Sequence, residues 1–459
     1  MLKAKELNIT RLLSDTHKPK EHALLIGIDR PRDAWTIQDS LEELARLAET
    51  ADVEIVGSVT QRLPHPVTGT YLGKGKLEEV QALKESLEYD LVIVDDELTP
   101  AQLRNLEKLL DVKILDRTAL ILDVFARRAQ THEGRLQVEL AQLEYRLPRL
   151  TRMWTHLSRQ SVGGVGVRGP GETQLESDRR EAGKRITHIK SELSQVHRHR
   201  ELYRDRRRER QAPVIALVGY TNAGKSTLLN SLTGSTVLSE DKLFATLDPT
   251  TRRTTLPSGR QALVTDTVGF INNLPTMLVA AFRATLEEIN EASVLIHVVD
   301  ITHPNAAEQT ETVNRVLEEL GADGKPTIVA LNKVDLLQEQ GVPALDELKE
   351  ALKLPEDVVT ISAARGLGFD DLLAAVERLL EREQAFVRVT LDVPYNRSDL
   401  VDRFHTIGRV EDSRFDDSGT SLVGLLPSAM VAAFEPFVTV QPPVDAVPPR
   451  RQVVPESAA

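Results

Sequence analysis

Residues 214–219 read Val-Ile-Ala-Leu-Val-Gly, and residues 220–232 continue Tyr-Thr-Asn-Ala-Gly-Lys-Ser-Thr-Leu-Leu-Asn-Ser-Leu. The first run is apolar and ends on glycine, which predicts a buried strand, and KSTLLNSL predicts the helix after it. Between them Gly219, Tyr220, Thr221, Asn222, Ala223, Gly224, Lys225 and Ser226 carry the spacing GxxxxGKS of a phosphate-binding loop, in its required strand–loop–helix context. Glycines let backbone N–H groups reach phosphate oxygens, and the helix N-terminus adds its positive end. In such a loop the lysine neutralises the terminal phosphates and Ser226 is placed to ligate Mg²⁺.

Further along, Asp266-Thr267-Val268-Gly269 follows the strand QALVT, where a carboxylate can hold the water shell of Mg²⁺ and a glycine N–H can meet the γ-phosphate. Asn332-Lys333-Val334-Asp335 follows TIVAL, and Ser362-Ala363-Ala364 follows VVTI. Asp335 names the base: it can accept from N1–H and the exocyclic amine of guanine, a pair that adenine does not offer. An ATPase is therefore the disfavoured alternative. In FATLDPTTRR (244–253) a threonine should complete the Mg²⁺ shell, and Thr246, Thr250 and Thr251 are all candidates. Phe270 stands where Ras-like enzymes often place a water-orienting glutamine, so hydrolysis by the isolated chain should be slow and its catalytic group is not assigned.

The fold class read from these patterns is α/β and multidomain. Residues 212–383 form a Ras-like P-loop GTPase domain. Before it, 1–133 alternate apolar runs such as ALLIGI and DLVIVDD with helical patterns, as a small α/β domain does. Within that domain GTYLGKGK (69–76) is one residue short of a phosphate loop and reads as a glycine turn before a helix. Residues 134–211 predict an arm of two antiparallel helices. One stripe runs through Leu136, Leu140, Leu143, Leu147, Leu150, Met153 and Leu157, and the other through Ala182, Ile186, Ile189, Leu193, Val196 and Tyr203. The glycine-rich SVGGVGVRGPGE (161–172) between them reads either as a hinge or as a loop for a phosphate-rich partner. Residues 384–443 predict a small α+β domain, and the proline-rich 444–459 a disordered tail.

A chain of 459 residues suits two to four domains. Without cysteine it can build neither disulfides nor thiolate metal sites, which fits a reducing compartment. The N-terminus lacks the apolar core of a signal peptide and no segment has the apolar length of a membrane span, so a cytoplasmic, monomeric protein is expected, with peripheral membrane association left open. The net charge of -12 opposes indiscriminate nucleic-acid binding. Residues 179–210 nevertheless hold twelve Lys and Arg against five acids, a net +7, read either as a solvated face or as a patch for RNA phosphates.

GYTNAGKS (219–226), LFATLDPTTRR (243–253), DTVGF (266–270) and NKVD (332–335), with GGVGVRGPGETQLESDRR (163–180) upstream, resemble the HflX family of translation-factor-related bacterial GTPases, in the Obg-HflX superfamily. The resemblance spans nearly the whole chain. It implies GTP and GDP as ligands, Mg²⁺ held with Thr246, and residues Phe244, Ala245, Thr246, Leu247 and Asp248 at the nucleotide. It implies the large ribosomal subunit, rRNA and protein, as the partner that stimulates hydrolysis, and the splitting of stalled or idle ribosomes, notably in heat stress. The N-terminal domain and arm would supply most of that contact. Asn222 resembles the phosphate-loop asparagine of potassium-activated GTPases, implying K⁺ beside the phosphates; the plainer reading is a loop-shaping residue. The competing function is a GTPase switch acting on a protein or membrane-associated partner.

Overall fold

The computed structural model describes residues 20–31, 35–150, 170–210, 212–234, 242–275, 278, 288–337, 354, 357–383, 386–416 and 419–440. The helix stripe beyond Leu150, most of the glycine-rich stretch and the proline-rich tail lie outside these residues. Among the described residues no helix is long and apolar enough to cross a membrane.

The N-terminal part is a four-stranded parallel sheet in the order β2-β1-β3-β4, built from β1 (His22–Asp29), β2 (Glu54–Arg62), β3 (Leu91–Val94) and β4 (Lys113–Asp116). The central strands HALLIGID and LVIV are apolar runs because helices cover both faces of the sheet. One layer holds α1 (Ile37–Thr50) and α4 (Arg117–Arg128), and the other α2 (Lys74–Leu87) and α3 (Pro100–Leu110). Helix starts follow local chemistry: Thr99 and Gln102 form a capping box ahead of Pro100, and Asp116 caps α4 by accepting from the Ala119 N–H. Of the stretch 69–76, the part up to Gly73 is the turn and Gly73 is the N-cap of α2, whose first turn takes in Lys74, Gly75 and Lys76.

Helix α5 (His132–Arg146) and the 41-residue α6 (Pro170–Arg210) share a seam of Leu136, Leu140, Leu143, Ile186, Ile189 and Leu193. Ion pairs Arg185–Glu139 and Lys190–Glu144 flank it. Two expectations change here. Helix α5 stops at Arg146, two residues before Pro148, so Leu147 and Leu150 of the predicted stripe lie beyond its end; proline removes an N–H donor and clashes with the preceding turn. Nor does the arm begin cleanly at residue 134. Val138, Ala141 and Tyr145 of α5 are buried with the N-terminal core.

The GTPase part is a six-stranded sheet in the order β10-β9-β8-β5-β7-β6. Its strands are β5 (Val214–Gly219), β6 (Thr250–Thr255), β7 (Gln261–Asp266), β8 (Val294–Asp300), β9 (Thr327–Asn332) and β10 (Val358–Thr360), and only β6 runs antiparallel to its neighbour. Helices α7 (Lys225–Thr233) and α9 (Phe369–Glu383) cover one face, while α8 (Ala306–Glu319) covers the other. That second face does not close on itself: Ala216, Val218, Leu295, Val313 and Leu317 belong to the same buried cluster as Leu44, Leu47, Ile121 and Phe125 of the N-terminal part.

Residues 386–440 form an antiparallel sheet in the order β12-β13-β11-β14: β11 (Phe386–Pro394), β12 (Arg409–Asp416), β13 (Gly419–Pro427) and β14 (Val438–Val440). Alternation decides its buried face: Val389, Leu391 and Val393 lie under Leu400, Phe404 and Ile407 of α10 (Ser398–Ile407).

Candidate nucleotide-binding site

Strand β5 ends at Gly219, whose φ of 150° is reserved for glycine, and a Cβ there would meet the Val298 carbonyl oxygen at 2.4 Å. The loop closes at Gly224, also left-handed, where a Cβ would lie 2.3 Å from Asn332 Nδ2. Both glycines are thus dictated by backbone approach. Lys225 opens α7 and is buried; its Nζ donates to the carbonyls of Gly219 (3.0 Å) and Tyr220 (2.7 Å), bracing the loop from inside. Burial pulls its pKa down to about 8, against the opposing charge of Asp266.

Ser226, Thr246 and Asp266 converge. Ser226 Oγ donates to Asp266 Oδ2 at 2.7 Å, Thr246 Oγ1 donates to the same oxygen at 2.9 Å, and the two hydroxyls are 2.9 Å apart. Of the three threonine candidates, Thr246 is the one brought beside Ser226 and Asp266. Thr250 lies in β6 opposite Asp266, and the Thr251 hydroxyl is bonded to that of Thr265. Asp266 Oδ1 is buried with no hydrogen-bond partner among the described residues, and burial raises this carboxyl's pKa even against Lys225 and the two hydroxyls. Two hydroxyls beside a carboxylate with an unused oxygen suit a hard, oxygen-seeking cation such as Mg²⁺.

Gly269 packs so closely that a Cβ would lie 2.8 Å from Thr221 Cγ2 and 3.1 Å from Lys225 Nζ. Phe270 follows, and its backbone pairs with the loop: its N–H donates to Gly219 O and its carbonyl accepts from Thr221 N–H at 2.7 Å. The Phe270 ring is 1% exposed and belongs to the core. Position 270 therefore offers no side chain to a water at the phosphates.

The residues predicted to meet the base assemble around Asn332, which donates from Nδ2 to the Ala223 carbonyl (2.8 Å) and accepts at Oδ1 from the Ala363 N–H (2.9 Å). One amide thus ties the phosphate loop to the 362–364 loop. Asp335 is held at 3.3 Å by Arg365, whose own N–H donates to Ser362 Oγ, and Lys333 pairs with Asp300 at 2.6 Å. Val334 and Ala364 stand in the same two loops. The whole set can grip phosphates at one end and present a carboxylate to a base edge at the other.

The sequence reading missed what lies behind the loop. The Tyr220 hydroxyl donates to Glu43 of α1 and accepts from the Asn272 N–H at 2.6 Å. Glu43 is ion-paired with Arg117, which donates to Asp95 at 2.6 Å, and Asp95 accepts from Ser40. Burial raises the Glu43 pKa, opposed by Arg117. Burial would lower that of Arg117, but Glu43 and Asp95 hold it above its ordinary value. Trp35 stacks on Tyr220 with ring centroids 6.0 Å apart. A signal existed: Ser40, Glu43, Leu44 and Leu47 form one helical stripe, and two polar residues on a buried stripe demand buried partners.

Residues 244–248 also face the N-terminal part. The Phe244 ring meets Phe125 edge-on at 4.6 Å, Leu247 is buried in the shared core, and the Asp248 carboxylate accepts from the N–H groups of Gln130 and Thr131, both at 2.9 Å. Of this stretch, Phe244, Ala245 and Thr246 line the cleft with Thr221, Asn222, Lys225, Ser226, Thr267 and Gly269; Leu247 and Asp248 point away from it.

Against known proteins, the family described as GTP-binding GTPase N-terminal matches residues 38–126, the GTP-binding GTPase middle region matches 128–207, and the 50S ribosome-binding GTPase family matches 214–333. The chain is 47% identical over 428 residues to GTPase HflX of Caldanaerobacter subterraneus subsp. tengcongensis, covering 92% of this chain and 96% of that one. It is 43% identical over 408 residues to GTPase HflX of Escherichia coli strain K12, covering 88% and 93%. A GTP-binding protein from Sulfolobus solfataricus, solved with GDP, is 27% identical, with 79% of this chain and 99% of that chain covered and a TM-score of 0.41.

Proposed function

Because the chain belongs to the HflX family of GTPases, we propose that it binds the large ribosomal subunit, that the subunit stimulates its GTP hydrolysis, and that it splits stalled or idle ribosomes, including in heat stress. The observation that carries this reading is the burial of Phe270: a side chain locked in the core at the position after Gly269 cannot organise the attacking water, a role that a bound partner would fill. The family description over residues 214–333 names the 50S subunit as what its members bind.

In this reading the loop from Gly219 to Ser226 holds the phosphates, with Lys225 neutralising them. Ser226, Thr246 and Asp266 would hold Mg²⁺, which would neutralise charge on the terminal phosphates. Thr267 takes no part in that shell, since its hydroxyl donates to the Leu217 carbonyl at 2.6 Å. Gly269 offers its N–H to the γ-phosphate. Asp335 reads guanine, released from Arg365, and Ser362, Ala363 and Ala364 frame the base. Asn222, on the cleft wall, would place K⁺ beside the phosphates. The net +7 stretch of α6 would meet rRNA phosphates, making binding fall steeply with salt.

Co-sedimentation with separated ribosomal subunits, comparing GDP with a non-hydrolysable GTP analogue, tests the partner. The expected result is GTP-dependent retention on the large subunit and faster phosphate release in its presence. Supplying missing catalytic groups in trans is worth about 10³–10⁵ in rate in related GTPases, so even partial completion is measurable. Equal hydrolysis with and without large subunits rejects the reading in favour of a switch with another partner.

A further inference from the structure

Thr246 sits between two anchors that both lie outside the GTPase sheet. Two residues before it, the Phe244 ring is packed on Phe125 of α4. Two residues after it, Asp248 seats on the first turn of α5: Oδ2 accepts from the Gln130 and Thr131 N–H groups, and Oδ1 accepts from the Thr131 hydroxyl. Thr131 is itself the N-cap of α5, its Oγ1 accepting from the Gly134 N–H at 2.9 Å. Gly134 stands in the opening turn of that helix because of this contact, since a Cβ there would lie 2.4 Å from Asp248 Oδ1. Its backbone is ordinary for a helix, so conformation does not require glycine; the close carboxylate does, with the Thr131 hydroxyl next nearest at 3.1 Å.

We infer that Asp248 is a positioning residue for the metal site, holding Thr246 against Ser226 and Asp266 by fastening the 244–248 segment to the root of the arm. The inference rests on reading Ser226 and Thr246 as Mg²⁺ ligands. Its consequence is that a displacement of α5 is transmitted to the metal through one carboxylate. Acceptance of two N–H groups and a hydroxyl by a charged group makes this a strong and directional tie. It also sets nucleotide state and arm position in reciprocal relation, because whatever orders one must favour the matching state of the other.

The test uses the full chain and titrates Mg²⁺ in a GTP hydrolysis assay, alongside GDP affinity in EDTA. Asp248→Ala and Gly134→Ala approach the tie from opposite sides. Because a Cβ at 134 would meet Asp248 Oδ1 at 2.4 Å and the Thr131 hydroxyl at 3.1 Å, a purely structural role predicts that Gly134→Ala changes stability without moving the Mg²⁺ dependence. The expected result is that both variants need about tenfold more Mg²⁺ for half-maximal rate, with GDP affinity in EDTA unchanged and Asp248→Asn intermediate, because its carbonyl oxygen still accepts the two N–H groups but without the negative charge. Thr246→Ala is the control for the metal reading itself. If Thr246→Ala shifts the titration while Asp248→Ala and Gly134→Ala superimpose on the parent chain, the positioning role is overturned. If Thr246→Ala does not shift it, the metal assignment falls, and the inference with it.

Discussion

Tyr220 and Glu43, 177 residues apart in sequence, share a buried hydrogen bond that joins the phosphate loop to the first helix of the N-terminal part. Glu43 is also one of two carboxylates facing Arg117, so the loop is tied to a buried charge cluster. Removing one member should cost far more than a surface contact would. Glu43→Ala leaves Arg117 under-neutralised and should destabilise the chain by about 3–5 kcal/mol. Tyr220→Phe strands a buried acceptor and the Asn272 N–H and should cost about 1–3 kcal/mol. Denaturant unfolding of the two single variants and the double checks both, and the double should fall short of the sum because the residues share one network. Midpoints equal to that of the parent would remove the network from the stability of the fold.

Asp335→Asn should move nucleotide preference from guanine toward xanthine. The new amide donates where the carboxylate accepted, and suits a carbonyl at that ring position. Arg365, 62% exposed at its side chain, gives up little when its partner changes. Direct titration with GDP and xanthosine diphosphate decides it; undiminished GDP affinity refutes the base assignment.

Acid should weaken the fold through His297. This side chain lies in β8, 2% exposed, and burial with the nearby Lys225 charge lowers its pKa from 6.5 to about 4. A histidine buried neutral binds its proton in the unfolded chain first, so stability is complete above pH 6.5 and is lost as pH falls from there through 4. The drop attributable to this group is about 3 kcal/mol. Comparing unfolding midpoints at about pH 7 and about pH 4.5 for the parent and His297→Gln should show a smaller pH effect in the variant. Parallel losses would place the acid sensitivity elsewhere.

Asn222 predicts a cation effect. It lines the cleft in a left-handed conformation, φ 62°, beside Thr221 and Gly224. If it places K⁺ at the phosphates, hydrolysis in K⁺ should exceed that in Na⁺ at equal ionic strength, and Asn222→Ala should erase the difference. Identical rates in the two salts leave Asn222 as a shaper of the loop.

The α/β class was legible because strands such as VIALVG and TIVALN are buried on both faces and announce themselves as uninterrupted apolar runs. The phosphate loop was legible because its chemistry is contiguous: two glycines, a lysine and a serine within residues 219–226. Residue chemistry alone left Thr246, Thr250 and Thr251 open, and only the family resemblance pointed to Thr246, since the choice depends on where β6 begins to pair with β7. Long-range partners were harder still. Glu43 and Arg117 are 74 residues apart, and Asp248 is 117 from Thr131, so no local pattern pairs them. The sequence marked residues 212–383 as a domain of their own, whereas Val218, Tyr220, Phe244, Phe270 and Ile271 are buried together with the N-terminal helices.

That merged core bears on how the chain is made. Synthesis proceeds from the N-terminus at about 5–20 residues per second, so Leu44, Leu47, Ile121 and Phe125 emerge long before Phe244, Phe270 and Ile289, which share their cluster. For on the order of ten seconds the nascent N-terminal part presents an apolar face of which α5, through Val138, Ala141 and Tyr145, covers only a part. During that interval the growing polypeptide is a substrate for chaperones and a hazard for self-association, and the vulnerability ends only when β8 has left the tunnel.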